Sequence, residues 1–321
     1  MSETTLDQVE HELISTSLEV ESLDTNLFRS RSLRMPPRGR GVFGGQVISQ
    51  AVVSATNCVD PAYGLHSLHC YFLLSASPEH PILYYVDRLR DGRSYATRFV
   101  RAVQRGKIIF ILMCSFHKPE PEHPIAQWHM PADAPMPEEI ELDIDFYRRR
   151  LLSENLSDAE KTVVELVIRD RERSPVSVTV QIERTRPDGS VVAMHWMKAR
   201  GIPKYGPAFQ KCILGYMSDM NFIPVAARTA GMRRYNEKGP LSIGMTSSLD
   251  HAIFFYNDTF DCSDWILYVV QSPRTGSGRG VVQGQMYTRN GTLVAVTTQE
   301  GVIRANIDRS AEPQSKVHSK L

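Results

Sequence analysis

Ser248, Asp250 and His251 stand within four residues of one another in the stretch SSLDHAIFFY, which begins at Ser247. A hydroxyl, a carboxylate and an imidazole are the groups of a serine-hydrolase triad, whose histidine must be hydrogen-bonded to both of the others. Residues 252–256 are apolar or aromatic, the mark of a buried strand. On a regular strand Ser248 and Asp250 share one face and His251 takes the other, so the three cannot meet as a triad. The chain also lacks a Gly-x-Ser-x-Gly elbow. Asp250 and His251 are therefore read as a structural pair opening the strand, and Ser248 as a site candidate.

Two further polar residues interrupt apolar patterns. Asp219 lies three residues past Tyr216 and seven past Cys212, at the edge of a helix's buried stripe. Gln299, in AVTTQEGVI, breaks an otherwise interior strand, and a buried glutamine requires a hydrogen-bonding partner. Asp219, Ser248 and Gln299 together suggest one polar pocket.

The elements that must position them occur twice. In FGGQVISQAVVSATN, residues Val47, Ile48, Ala51, Val52 and Ala55 follow a helical rhythm, as do Cys212, Ile213, Tyr216, Met217 and Met220 in FQKCILGYMSDMNF. Strand-like runs follow each helix, at 65–74, 82–90, 95–105 and 107–117, then at 248–256, 265–271, 279–288 and 292–303. ILYYVDRLRDGRSY from Ile82 reads like ILYVVQSPRTGSGR from Ile266, and SLHCYF from Ser67 like SLDHAIFF. Pro187-Asp188-Gly189 predicts a hairpin turn ahead of the second helix. The pattern predicts an α+β chain in which a helix wrapped by a curved antiparallel sheet is duplicated. Residues 1–118 form the first repeat with an N-terminal extension, and 119–172 a proline-rich linker with a helical insertion. Residues 173–308 form the second repeat, and 309–321 a flexible tail.

Acids and bases nearly balance, 36 against 37, which gives no support for a nucleic-acid or membrane-surface partner. Five scattered cysteines suit free thiols better than disulfides or zinc. No apolar run is long enough to span a bilayer. The N-terminal MSETTLDQVEHEL is acidic and polar, unlike a secretory signal or transit peptide. Residues 39–44, GRGVFG, match a dinucleotide-binding fingerprint but follow prolines rather than a buried strand. His66 and His69 face opposite ways on a strand and have no partners spaced to complete a metal site. No cofactor is expected. The chain ends in Ser319-Lys320-Leu321, the peroxisomal import address.

FGGQVISQA, HSLHCYFL, GYMSDMNF, SSLDHAIFFY, GQMYTRNGTLVAVTTQEGVIR and the terminal SKL, taken in order, resemble the type II acyl-CoA thioesterase family, and its peroxisomal members in particular. The resemblance implies a double hotdog fold, an acyl-CoA substrate, and a catalytic set falling on Asp219, Ser248 and Gln299. Ser248 stands where bacterial members carry threonine, and both keep a hydroxyl. The chemistry implied is attack by a positioned water, with the oxyanion met by backbone N–H groups, expected at the second helix. It also implies a homo-oligomer in the peroxisomal matrix, delivered by the import receptor. Gln46 and Gln50 are expected on the first helix where the second carries Asp219. The alternatives are a non-catalytic acyl-CoA-binding module and a hotdog enoyl-CoA hydratase, the latter disfavoured because the second helix carries no histidine beside its aspartate.

Overall fold

The computed structural model describes residues 14, 17–37, 39–153, 155–232 and 241–306. Both helical rhythms become helices, α1 (Gly44–Thr56) and later α4 (Pro207–Ser218), and every one of their pattern residues is buried. Before α1 come β1 (Val20–Asp24) and β2 (Leu27–Ser30); after it come β3 (Gly64–Phe72), β4 (Leu83–Asp91), β5 (Tyr95–Gln104) and β6 (Lys107–His117). An insertion follows, made of α2 (Asp143–Leu151) and α3 (Asp158–Glu172), the latter opened by a Ser157–Glu160 capping box. The second half runs β7 (Val176–Val178), β8 (Ile182–Thr185), β9 (Val191–Ala199), α4, α5 (Pro224–Thr229), β10 (Ile243–Ser248), β11 (Asp250–Phe255), β12 (Ile266–Gly276), β13 (Arg279–Thr288) and β14 (Leu293–Ala305).

The strands join in one antiparallel sheet. The first half contributes the order β2-β4-β5-β6-β3 and the second its mirror, β11-β14-β13-β12-β9, so the repeats meet where β3 pairs with β11. Ile253 lies opposite Leu68 across that seam, both fully buried. This is a double hotdog. Each helix is followed by the expected strands, and strands also precede each helix: β1 and β2 in the first half, and in the second β7 and the β8–β9 hairpin, which turns at Pro187-Asp188-Gly189 as expected.

Helices α1 and α4 pack antiparallel, Ser49 Oγ donating to the Cys212 carbonyl at 2.7 Å. The proline-rich linker has no core of its own and instead straps the outer face of the second half. Met130, Met136 and Ile140 pack on Met194, Trp196 and Leu267, and Trp196 Nε1 donates to Pro135 O at 2.9 Å. The insertion is clasped to both halves. Arg34 pairs with Asp170 and donates to Tyr216 Oη at 3.0 Å, and Arg171 bonds Asp143 at 2.6 Å. The five cysteines are free and buried. Among the described residues no cluster of metal-ligating side chains occurs and no helix is long and apolar enough to cross a membrane. His66 bonds Ser115 Oγ at 2.8 Å, and His69 stacks edge-on against Phe254.

Candidate active site

Asp219, Ser248 and Gln299 come from three elements and meet. Asp219 is the C-cap of α4, one residue beyond the last helical turn rather than within it. Ser248 ends β10, and Gln299 lies mid-way along β14, fully buried. Gln299 Nε2 donates to Ser248 Oγ at 2.6 Å. The Asp219 carboxyl lies beside the Gln299 amide, the Gly45 backbone N–H and the Ser248 hydroxyl, each of which favours its ionised form. Burial dominates over these donors and pushes the Asp219 carboxyl up to about 7.

The Gly45 contact identifies a part of the site that the sequence pattern does not. Asp219 closes the C-terminus of α4, so the N-terminus of that helix is about 18 Å away and cannot reach it. Because the two central helices run antiparallel, the N-terminus of α1 arrives there instead. The positive end of that helix faces the carboxylate, where negative charge is favoured. The backbone N–H beside the Asp219 carboxyl is therefore supplied by the first helix. Gly44 is obligatory for this approach: a Cβ there would lie 2.7 Å from Asp219 Oδ2 and 3.0 Å from the Phe72 ring.

His251 corrects the reading of the opening stretch. Ser248 sits opposite Gly301 and Ala252 opposite Thr298, so three residues on one strand face two on β14. That is a one-residue bulge at Leu249. The bulge resets the alternation and turns His251 to the same side as Ser248. Its Nδ1 lies 2.6 Å from Gln299 Oε1 and its Nε2 lies 2.9 Å from Ser218 Oγ. Burial lowers its pKa to about 4, so the ring is neutral. Asp250 turns away and accepts from Glu300 N at 2.7 Å. His251 and Asp250 are thus not a pair, and no triad forms, since the imidazole reaches Ser248 only through Gln299.

Gln46 and Gln50 are not counterparts of Asp219. The equivalent helix end in the first half is Asn57, the exposed C-cap of α1. Gln46 and Gln50 instead tie α1 to the preceding chain by donating to the carbonyls of Ser17 and Ser32. Buried Arg98 fills the end of the first half, bonding the Cys58 carbonyl at 2.9–3.0 Å.

Ser248 and Gly44 line a cleft of about 860 Å³, and Asp219 and Gln299 stand beside Ser248 without lining it. Apolar side chains make most of its remainder: Phe72 and Phe110 from the first half, Phe146 and Leu166 from the insertion, Ile223 and Ile243 from the second. The glycine-rich residues 39–44 form its rim rather than a nucleotide loop, for the chain before them is not a strand and the sheet is antiparallel. A long apolar group with a polar reacting end fits this space.

Comparison with known proteins matches this arrangement half by half. Residues 31–117 match the acyl-CoA thioesterase N-terminal domain, and 158–303 the acyl-CoA thioesterase C-terminal domain. Human acyl-coenzyme A thioesterase 8 is 36% identical over 303 residues, covering 91% of this chain and 89% of that protein. Acyl-CoA thioesterase 2 of Haemophilus influenzae is 32% identical over 294 residues, 89% of this chain and 95% of its own length. The crystal structure of acyl-CoA thioesterase II TesB2 from Mycobacterium marinum superposes with a TM-score of 0.72 at 32% identity, covering 91% of this chain and 98% of that one. With both halves matched in order and the relatives covered almost end to end, the chain belongs to the type II acyl-CoA thioesterase family.

Proposed function

We propose that this chain hydrolyses fatty acyl-CoA to free fatty acid and CoA by attack of water activated at Asp219. The observation that carries the reading is the convergence of a half-buried carboxyl with an amide and a hydroxyl, the hydroxyl opening onto an apolar cleft. Ionised Asp219 accepts a proton from water as the water oxygen attacks the thioester carbon. Ser248 and Gln299 hold that water in line, a positioning contribution. Negative charge grows on the carbonyl oxygen, and the N-terminus of α1 supplies backbone donors and a favourable dipole for it. Collapse of the tetrahedral intermediate breaks the carbon–sulfur bond, and the proton held on Asp219 passes to the departing CoA sulfur. The acyl chain occupies the cleft between the two halves and the insertion.

Thiol release from acyl-CoAs of graded chain length tests the activity. No release at any length would leave the acyl-CoA-binding module as the reading.

The base must be ionised, which fixes a pH dependence. Three other titratable groups surround Asp219: Cys70 on β3, Tyr268 on β12 and His251 on β11. Burial raises the pKa of the first two and lowers that of the third, so all three stay neutral around pH 7. The rate constant kcat/KM is therefore expected to rise with pH through a single limb near 7 and to fall about tenfold per unit below it. A profile flat from pH 5.5 to 8 would rule Asp219 out as the base.

The terminal Ser319-Lys320-Leu321, outside the described residues, supports delivery to the peroxisomal matrix by the import receptor. A reporter carrying this tail should become punctate, and deletion of Leu321 should leave it diffuse. The linker covers the outer sheet face of the second half, while the matching face of the first half exposes Tyr71 and Met113 at 55% and 48%. That uncovered apolar face supports a homo-oligomer. A monomer mass in light scattering at micromolar concentration would contradict it.

A further inference from the structure

The amide of Gln299 can occupy its site in two orientations related by a half turn, and only one of them serves the chemistry. With Nε2 toward Ser248 and Asp219, the amide donates to both and holds the carboxylate in its ionised form. With Oε1 there instead, an acceptor would face a carboxylate, and the water-holding arrangement would be lost. While Asp219 is protonated, neither it nor Ser248 selects between these states, because a hydroxyl both donates and accepts and a protonated carboxyl donates.

What selects is on the far side of the amide. His251 Nδ1 lies 2.6 Å from Gln299 Oε1, inside the protein, and both residues are almost wholly buried. An oxygen accepts only, so Nδ1 must carry the ring proton. The neutral ring then has a lone pair at Nε2, and Ser218 Oγ, 2.9 Å away, is the donor that meets it. The Ser218 hydroxyl also lies 2.8 Å from Gly215 O, so its proton serves one acceptor at a time. Phe222 packs edge-on to the imidazole at 5.7 Å and completes its enclosure. The chain of donors runs in one direction, from His251 to Gln299 and from there to Ser248 and Asp219.

We propose that His251 is a positioning residue of the hydrolytic site: through Nδ1–H it locks the Gln299 amide with its nitrogen toward Asp219 and Ser248. The inference rests on the water-attack reading given above. The Leu249 bulge is what turns His251 toward Gln299, so it is part of the same device.

The test uses the full chain and three variants beside wild type. His251→Leu removes the lock. His251→Asn retains a donor where Nδ1–H stands, since the asparagine amide nitrogen occupies nearly the position of the ring nitrogen. Asp219→Asn serves as the reference for a lost base. His251→Leu is expected to lower kcat by about 10- to 100-fold, as loss of an orienting partner does elsewhere. KM, and the affinity for a non-hydrolysable thioether acyl-CoA, should stay within about twofold. The acid limb of kcat/KM should move to higher pH, because Asp219 loses a donor to its ionised form. His251→Asn should recover most of kcat and return the limb toward its wild-type position.

Two results would overturn the proposal. One is a His251→Leu enzyme with wild-type kcat and an unmoved acid limb. The other is equal loss in both His251 variants, with weakened analogue binding and an unmoved limb, which would mark His251 as packing alone. Failure of the underlying reading looks different, since Asp219→Asn would then retain full activity. If His251→Leu does not fold, His251→Val, whose branched side chain suits a strand, replaces it, and the same loss of kcat and the same shift of the limb are expected. An unmoved limb there would equally overturn the proposal.

Discussion

Asp219→Asn is expected to lower kcat by about 10²- to 10⁴-fold while acyl-CoA binding is retained. The substitution keeps the shape of the side chain. Its oxygen can still accept from Gly45 and Gln299, and its amide can donate to Ser248 Oγ, so the cluster survives without a base. The same change is expected to stabilise the fold at alkaline pH. Burial raises the Asp219 pKa to about 7 from an ordinary value of 3.8. Between those values the unfolded chain has released a proton that the folded chain still holds, so this group erodes stability as pH rises. The erosion is complete above pH 7 and absent below about 4. Melting curves should therefore show Asp219→Asn above wild type at pH 8 and level with it near pH 4. Equal melting temperatures at pH 8 would contradict the buried, poorly compensated carboxyl. A site residue that costs stability where it works is the usual trade at active sites.

Gly45→Ala is expected to damage the fold and the site together. Gly45 is buried at the crossing of the central helices, and a Cβ there would lie 2.5 Å from the Tyr216 carbonyl oxygen and 2.6 Å from the Phe43 ring. The first obstacle is backbone and cannot swing aside, so α1 and α4 must part. Overpacking of this kind costs about 1–3 kcal/mol. It also shifts Asp219, three residues past Tyr216, relative to the Gly45 N–H that binds it. Misplacement by about 1 Å is enough to cost about 10²-fold in rate. Gly215→Ala is the control on the opposing helix. Its Cβ would meet Ser49 Oγ at 3.6 Å and Ile48 at 3.7 Å, which is ordinary contact. Activity and denaturant midpoint should both fall in Gly45→Ala and hold in Gly215→Ala. Equal behaviour of the two variants would refute the close-approach argument.

Much of the duplication was legible because helical and strand periods report burial directly. Val47 to Ala55 and Cys212 to Met220 fall on the buried faces of α1 and α4 and in the turn after α4. Ser67 and Ser248 begin similar runs because β3 and β11 are the equivalent strands that pair at the seam. Strands β2 and β9 were less legible: β2 spans only Leu27–Ser30, too short for a pattern, and nearly every residue of β9 is buried, so the turn at Pro187-Asp188-Gly189 was its one signal. In the site, Asp219 and Gln299 announced themselves as polar residues in apolar patterns. His251 did not, because the alternation rule holds only for a strand without a bulge, and one extra residue at Leu249 reversed its face. Gly301 opposite Ser248 was the available signal; a Cβ there would lie 2.4 Å from Ile223. The part played by Gly44 and Gly45 depends on the antiparallel crossing of two distant helices, and no local pattern encodes that. The crossing treats both halves alike, and what sets the first half apart is its helix end, exposed Asn57 near Arg98, where the second half carries Asp219.

The measurement that bears most directly on water attack is a single turnover in ¹⁸O-enriched water with enzyme in excess over acyl-CoA. Direct attack by a water at Asp219 predicts one ¹⁸O atom in the released fatty acid and none in the peptide containing Asp219. An unlabelled fatty acid, with ¹⁸O in the Asp219 carboxyl, would show that Asp219 attacks the thioester itself and would contradict the account.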